Sequence, residues 1–218
     1  MLTKAQIRTV LDTIGEMFPD AHCELHHQNP FELLIAVILS AQCTDALVNK
    51  VTKDLFQKYK TPEDFLGVPL EEVEQDIRSI GLYRNKAKHI RNCCQTLLED
   101  YNGVVPQTKE ELMKLAGVGR KTANVVSSVA FDVPAIAVDT HVERVSKRLG
   151  ICRYKDTVLE VEKTLMRKIP KEEWSITHHR FIFFGRYHCK SQSPKCDSCP
   201  LLELCREGKK RMKKEKRG

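Results

Sequence analysis

The chain has 218 residues, of which 41% are hydrophobic and 30% charged, and a formal net charge of +7. This length suffices for one large domain or two modest ones with a hydrophobic core. No stretch is apolar for long enough to span a bilayer, and the N-terminus lacks the unbroken apolar run of a signal peptide. We therefore expect a monomer in a reducing, cytoplasmic compartment, with no membrane association.

The positive charge is concentrated at the C-terminus. Residues 208–218 carry seven Lys/Arg and one Glu, so the rest of the chain is nearly balanced, with 29 basic and 28 acidic residues. Such a tail either seeks a phosphate polymer or is a disordered, solubilising end, and the tail alone favours neither interpretation.

Apolar residues recur at helical spacing along almost the whole chain, and no segment shows sustained alternation with a period of two. Asn29 before Pro30 and Thr108 with Glu111 are typical helix starts. The sequence therefore predicts an all-α fold, with helices at 3–18, 31–39, 44–59, 61–67, 69–81, 84–103, 108–117, 120–131, 140–149, 157–168 and 172–188.

The stretch LAGVGRKTANVV, residues 115–126, predicts two helical segments that meet at Gly117, Val118 and Gly119. Glycines permit a tight turn, and the backbone N–H groups there can hold one phosphate without reading sequence. On the glycines alone a plain helix–helix turn is the favoured interpretation, because short glycine patterns are common. The following Arg120 and Lys121 shift the balance toward a nucleic-acid contact.

Two side chains in this part of the sequence are candidates for catalysis. Lys121 falls in the first turn of a predicted helix, where the helix dipole favours the neutral amine, which is a nucleophile capable of forming a Schiff base. Asp139 directly precedes the next helix and reads first as an N-cap. A capping carboxylate is also held rigidly, which suits a group that stabilises developing positive charge.

Four cysteines lie within seventeen residues in CKSQSPKCDSCPLLELC: Cys189, Cys196, Cys199 and Cys205. In a reducing compartment they indicate a metal site rather than disulfides. Only one CxxC pair is present, where zinc modules usually have two, and the spacing matches no common ferredoxin pattern. Spacing alone leaves zinc and iron–sulfur equally favoured.

Taken together, LAGVGRKTANVV, VDTHVERVSKRLG and the C-x6-C-x2-C-x5-C array resemble the endonuclease III family of DNA repair glycosylases. ILSAQCTD (38–45) and IGLYRNKAK (80–88) are also similar to motifs of that family, and the resemblance runs from about residue 3 to about residue 207. Ala116 is a departure, because many members have proline there, and alanine still permits the turn.

The resemblance implies a helix-hairpin-helix DNA glycosylase fold with two helical lobes and a DNA-binding cleft. It implies a six-helix domain at 22–132, with the hairpin motif at about 108–130, and an iron–sulfur domain formed by 1–21 and 133–218. It further implies that the four cysteines hold a [4Fe–4S] cluster. The partner would be double-stranded DNA that contains a damaged pyrimidine or an abasic site.

The resemblance also implies roles for individual residues. Lys121 would attack C1′ of the deoxyribose, and Asp139 would assist as the carboxylate. Gln42 and Leu82 would fill the space that an everted nucleotide leaves. Asp45 is the expected residue of the base pocket. Further DNA contacts are expected from the hairpin and from the cysteine loop with the residues just before it: Gly117, Val118, Gly119, Arg120, Arg186 and Lys190.

The predicted function is thus a base excision repair glycosylase for oxidised pyrimidines, with abasic-site lyase activity. An adenine-mismatch glycosylase is the nearest rival, although it usually lacks the hairpin lysine. A non-catalytic DNA-binding protein and an electron-transfer iron–sulfur protein are the alternatives from other classes. Lys121 and Asp139 together favour the enzyme.

Overall fold

The computed structural model describes residues 1–215, with side chains through residue 213, so the end of the basic tail, 216–218, lies outside the described residues. Within that part the predicted all-α fold is confirmed, and it contains no strand. None of the described helices is both long and apolar enough to cross a membrane. The α-helices are α1 (Lys4–Met17), α2 (Pro30–Ser40), α3 (Asp45–Lys58), α4 (Pro62–Leu66), α5 (Leu70–Asp76), α6 (Tyr83–Tyr101), α7 (Lys109–Leu112), α8 (Arg120–Phe131), α9 (Thr140–Leu149), α10 (Val158–Lys168), α11 (Trp174–Phe183) and α12 (Arg206–Glu215).

Three predicted elements differ from the structure. The helix expected at 108–117 ends at Leu112, because the next hydrogen bonds close tighter turns, such as Leu115 N–H to the Leu112 carbonyl at 3.1 Å. The helix expected to reach Gly81 ends at Asp76. The helix expected at 172–188 is a 3₁₀ turn, then α11, then a π-helical turn at Phe184–His188. Part of the basic tail is also helical, in α12.

The chain forms two compact units. One contains Cys23–Val133, and the other contains Met1–His22 together with the chain from Pro134 onward. The domain boundaries predicted from the sequence, 21/22 and 132/133, lie one residue before these.

The unit formed by Cys23–Val133 is built around α2. Every residue of this helix from Phe31 to Leu39 is buried, and α2 packs against α3, α6 and α8. A helix that is apolar on all sides is stable only when other helices surround it, which explains why the amphipathic α3, α6 and α8 cover it. Asn29 begins α2 by accepting the N–H of Glu32 at 2.9 Å.

The other unit is built around α9, which packs against α10, α11, α12 and the π-helical turn. Its apolar face, with Val142, Val145 and Leu149, joins a core to which α1 contributes Ile7, Val10, Leu11 and Ile14. This core fixes both ends of α9, and the candidate aspartate stands at one of them.

Candidate active site

The hairpin between α7 and α8 depends on one glycine for its shape. Gly117 has a φ of +78°, in the left-handed region that disfavours residues with a side chain. A Cβ on Gly117 would also lie 2.9 Å from Cβ of His89. The turn therefore requires glycine here both for its backbone angles and for its close approach to α6.

The other hairpin residues face in different directions. Val118 is only 6% exposed and anchors the turn in the core, so DNA contact at this position is limited to the backbone. Gly119 precedes α8 with an ordinary φ of −88°, and a Cβ there would meet open space. Gly119 is the N-cap of α8 and has no side chain with which to cap the helix. The first-turn N–H groups of α8 have no partner within the helix, and the space beside Gly119 is open.

Arg120 and Lys121 are the first two residues of α8, and both side chains are exposed. The opposite face of the helix is buried, with Ala123, Val126 and Ser127 in the core. Packing of that face fixes the orientation of α8, so the Lys121 side chain projects from the exposed side of the helix. The amine stands at the positive end of the α8 dipole.

Asp139 is the N-cap of α9. Its Oδ1 accepts the N–H of His141 at 2.9 Å and the N–H of Val142 at 2.8 Å. The capping role predicted from the sequence is therefore confirmed. The side chain is half-buried, and two backbone donors hold the carboxylate in one orientation, which is the arrangement that a charge-stabilising group needs.

Gln42 and Leu82 share an unusual backbone conformation. Both have left-handed φ angles, 55° for Gln42 and 59° for Leu82, although neither is glycine. Both side chains are exposed, and Leu82 is 59% exposed despite being apolar. Left-handed backbone at a residue with a side chain costs free energy and is concentrated at functional sites. An exposed leucine on such a turn is poorly explained by core packing.

Asp45 is the first residue of α3, and Thr44 caps that helix by accepting the N–H of Leu47 at 3.4 Å. The Asp45 carboxylate lies close enough to Cys23 to reinforce the effect of burial, and both raise the pKa of that thiol. The side chain is half-buried.

The four cysteines of the C-terminal array line one small cavity, together with Leu149, Phe184 and Gly208. Across the described residues, no three His, Cys, Asp or Glu side chains are gathered closely enough to hold a single metal ion. Burial raises the pKa of Cys196, Cys199 and Cys205, to about 11 for Cys199, and the neighbouring cysteines reinforce the shift. Four thiols that share one cavity need a positive centre to become thiolates together.

At least two of these four sulfurs have hydrogen-bond donors. The Gly208 N–H lies 3.3 Å from Sγ of Cys205, and the Arg148 guanidinium lies 3.6 Å from Sγ of Cys189. Donors of this kind stabilise thiolates that bind an iron–sulfur cluster. The donor set is all-thiol and hydrogen-bonded, and it therefore fits such a cluster.

The two cations expected at the cysteine segment differ in position. Arg186 is half-buried within the π-helical turn, where it has an interaction partner in the same chain. Lys190 is exposed on the loop, and its carbonyl accepts the Arg148 guanidinium at 2.6 Å. Arg148 also donates to the Ser191 carbonyl at 2.8 Å, so α9 holds the backbone of this loop directly.

Two residues that the structure places at these sites, Arg148 and Lys86, were not selected from the sequence. Arg148 reads locally as a surface residue of α9, and its acceptors lie about forty residues further along the chain. Lys86 occupies a buried position on the apolar stripe of α6, with Ile90, Cys93 and Leu97. A lysine at an apolar position of a helix was the sequence signal that could have identified Lys86 as a buried residue with specific partners.

Comparison with known proteins identifies the class. Residues 35–171 match the HhH-GPD superfamily base excision DNA repair protein family. Residues 189–205 match the iron-sulfur binding domain of endonuclease III, so the cysteine array is an iron–sulfur binding segment. The fold and the hairpin thus belong to a helix-hairpin-helix DNA repair protein.

Individual relatives identify the family within this class. The chain is 74% identical to endonuclease III of Bacillus subtilis over 214 residues, which is 98% of each chain. It is 45% identical to endonuclease III of Escherichia coli over 204 residues, 94% of this chain and 96% of the relative. A solved structure of a trapped endonuclease III–DNA covalent intermediate, an estranged-adenine complex, has a TM-score of 0.96 and 78% identity, and covers 97% of this chain and 100% of that one.

The chain belongs to the endonuclease III family. The predicted resemblance is therefore confirmed, as is the predicted activity, that of a base excision repair DNA glycosylase and abasic-site lyase.

Proposed function

We propose that the enzyme excises oxidised pyrimidines from duplex DNA with Lys121 as its nucleophile, working as a monomer in the bacterial cytoplasm. The observation that carries the proposal is the position of Lys121. Its exposed amine lies in the first turn of α8, two residues after a glycine N-cap at which a Cβ would meet open space. A phosphate held by those N–H groups would bring the sugar–phosphate backbone to the amine.

The chemistry follows from an amine placed at a sugar. The neutral Lys121 amine forms a bond to C1′, and the C1′–N bond to the base breaks, so that the base leaves with the bonding electrons and takes up a proton. The second proton of the lysine nitrogen then passes to O4′ as the C1′–O4′ bond breaks, and the opened sugar is joined to the lysine as a Schiff base. Removal of a proton from C2′ then expels the 3′ phosphate by β-elimination, and water releases the lysine.

We assign the second catalytic role to Asp139. Positive charge develops on the sugar as the base departs, and a fixed carboxylate stabilises that charge without having to reorganise. The two backbone N–H groups on Oδ1 keep Asp139 fixed in this way. The trapped covalent complex of the relative supports a covalent mechanism of this kind, since its protein is joined to DNA.

The remaining DNA contacts are proposed for four parts of the chain. The hairpin backbone at Gly117–Gly119 and the Arg120 side chain would grip one phosphate. Gln42 and Leu82 would occupy the space of the everted nucleotide. Asp45 would line the base pocket. Two cations would also meet phosphates: Arg186 in the π-helical turn and Lys190 in the cysteine loop.

The cluster is proposed to be [4Fe–4S], held by Cys189, Cys196, Cys199 and Cys205. It would supply a rigid centre that fixes the loop between Cys189 and Cys196. Arg148 and the Gly208 N–H would orient two of the thiolates. Iron analysis of the purified protein should give about four iron atoms per chain for this cluster, against about one metal atom for a zinc site.

Borohydride trapping tests the nucleophile. Wild type should form a covalent adduct with a duplex that carries one thymine glycol, and Lys121→Gln should form none while still binding DNA. Lys121→Arg keeps the charge and should also form none, since a guanidinium is not a nucleophile at neutral pH. Lys114→Gln, an exposed lysine of the same hairpin, is the matched control and should still be trapped.

An adduct that survives in Lys121→Gln would transfer the nucleophile to another residue. Loss of the adduct in Lys114→Gln as well as in Lys121→Gln would show that hairpin charge, rather than the amine of Lys121 specifically, controls trapping.

A further inference from the structure

Lys86 is a lysine in the core of its unit. It is 4% exposed, and its neighbours on the buried face of α6 include Ala87 and Ile90. Burial lowers its pKa. Lysine is rarely buried to this extent unless its ammonium has specific partners, because removing the charge from water is costly. The partners of Lys86 should therefore indicate what it does.

Both partners lie at the end of α2. The Lys86 ammonium donates to the Leu39 carbonyl at 2.8 Å and to the Ala41 carbonyl at 2.6 Å. These carbonyls belong to the last turn and the C-cap of α2, where no further helical N–H is available to them. A cation there also interacts favourably with the negative end of the helix dipole.

The two turns that Lys86 contacts carry Gln42 and Leu82, the wedge residues proposed to fill the space of the everted nucleotide. Ala41 directly precedes Gln42, and the Lys86 side chain holds its carbonyl. Leu82 is the N-cap of α6, and its carbonyl accepts the Lys86 backbone N–H at 3.0 Å. One residue thus bonds to the backbone beside Gln42 with its side chain and to Leu82 with its main chain.

The backbone of both turns needs such support. Of the other three described left-handed residues that are not glycine, Asn102 and Asp132 end helices, where this conformation is common, and Ser193 lies in the cysteine loop. Gln42 follows the end of α2 in a separate turn, and Leu82 stands at the start of a helix. A strained conformation persists only where the surroundings hold it.

We propose that Lys86 is a positioning residue for nucleotide eversion, which fixes the Gln42 and Leu82 turns relative to each other. The inference rests on the proposed function of Gln42 and Leu82 as the residues that enter the duplex. With the two turns tied together, both side chains are presented in one arrangement, and no ordering step precedes their entry. Without the ammonium, the Gln42 turn moves independently of Leu82.

A purely structural role is the competing explanation. In that case Lys86 only caps α2, and its loss lowers stability without slowing the reaction of the folded enzyme. Lys168 offers a matched control, since its ammonium donates to the Ile151 carbonyl at 2.9 Å and burial lowers its pKa as well. Lys168→Met removes the same kind of contact far along the chain from both wedge residues.

The test compares Lys86→Met with Lys168→Met in single-turnover excision of thymine glycol from duplex DNA. The enzyme is saturating, and the temperature lies well below each unfolding midpoint. We expect Lys86→Met to be slower by about 10- to 100-fold, and Lys168→Met to stay within about twofold of wild type. The same pair is then measured in a Gln42→Ala, Leu82→Ala background. There Lys86→Met should have no further effect, because the residues through which it acts are gone.

Each contrary result overturns the inference. Equal rates for Lys86→Met and Lys168→Met would leave Lys86 a structural cap. An undiminished effect in the Gln42→Ala, Leu82→Ala background would mean that it acts by another route. If Lys86→Met does not fold, Lys86→Gln, which keeps an amide donor, is carried through the same measurements. If neither variant folds, the role is structural.

Failure of the proposed function is distinguishable from these outcomes. Wild type that excises no thymine glycol and forms no borohydride adduct would remove the proposed substrate and nucleophile, and the inference with them. Active wild type with an unaffected Lys86→Met would remove the inference alone.

Discussion

At the scale of single residues, the two hairpin glycines have different roles, and alanine at each position separates them. Gly117→Ala forces a side chain into a left-handed φ and against His89, so the free energy of unfolding should fall by about 1–3 kcal/mol. Gly119→Ala meets open space at an ordinary φ, so stability should change by less than about 0.5 kcal/mol. Denaturant unfolding of the two variants measures this difference.

Gly119→Ala should nevertheless weaken binding to an abasic-site duplex, because the new methyl group occupies the surface proposed to meet a phosphate. Fluorescence anisotropy with a labelled duplex measures this effect. Wild-type affinity in a fully folded Gly119→Ala would remove Gly119 from the DNA contacts.

Asp139 combines a structural and a proposed chemical role, which two substitutions separate. Asparagine keeps an oxygen for the N–H groups of His141 and Val142, whereas alanine loses the cap at a cost of about 1 kcal/mol. Both substitutions remove the carboxylate. We expect Asp139→Asn to be nearly as stable as wild type and both variants to be strongly impaired in excision, as measured by single-turnover rates and thermal unfolding. Full activity in Asp139→Asn would reduce Asp139 to a helix cap.

At the scale of elements, α11 should make the protein sensitive to acid. Burial lowers the pKa of His179 from its ordinary value of 6.5 to about 4, with repulsion from His22 as a lesser cause, and the His178 ring lies 4.9 Å away. As the pH falls, the unfolded chain binds a proton at this histidine before the folded chain does. The stability that neutral His179 contributes is therefore complete above about pH 6.5 and is lost toward pH 4.

The loss across this pH range should be on the order of 2 kcal/mol, and His179→Gln should flatten the pH dependence of the unfolding free energy between these values. His26→Gln, which alters an exposed histidine, is the control and should keep the wild-type slope. Equal slopes in His179→Gln and wild type would contradict this assignment.

Elements also show what sequence can predict. The starts of α1, α2 and α10 are encoded locally, by Thr3, Asn29 and Thr157 and their hydrogen bonds within the next turn. The helix at 108–117 was predicted too long, because the turns after Leu112 depend on burial of Leu115 and Val118 against other helices. Local pattern therefore predicts where helices begin more securely than where they end.

The same distinction applies to the site. Lys121 and Asp139 stand at helix starts within short motifs, so local sequence and family resemblance were enough to select them. The partners of Lys86 lie 47 and 45 residues away, and those of Arg148 lie 42 and 43 residues away. A lysine or arginine reads as solvated in sequence because its acceptors become adjacent only in the folded chain.

At the scale of the whole molecule, the cysteine segment belongs to the unit that contains α9, and the cluster should contribute to the stability of that unit. The segment has little regular structure of its own, and Arg148 is its main link to α9 among the described contacts. Cys199→Ser should lose most of the iron and lower the thermal midpoint of the protein, because metal binding free energy is part of folding free energy. Iron analysis and thermal unfolding measure the two effects.

Cys23→Ser is the matched control, since Cys23 lies outside the array and in the other unit. It should keep the full iron content and a midpoint close to that of wild type. Removal of the cluster should also release Lys190 and its loop, so DNA affinity should fall in Cys199→Ser even where the protein is folded. Unchanged stability and DNA affinity in iron-free Cys199→Ser would show that α9 and Arg148 hold the loop without the cluster, and that the iron has another purpose.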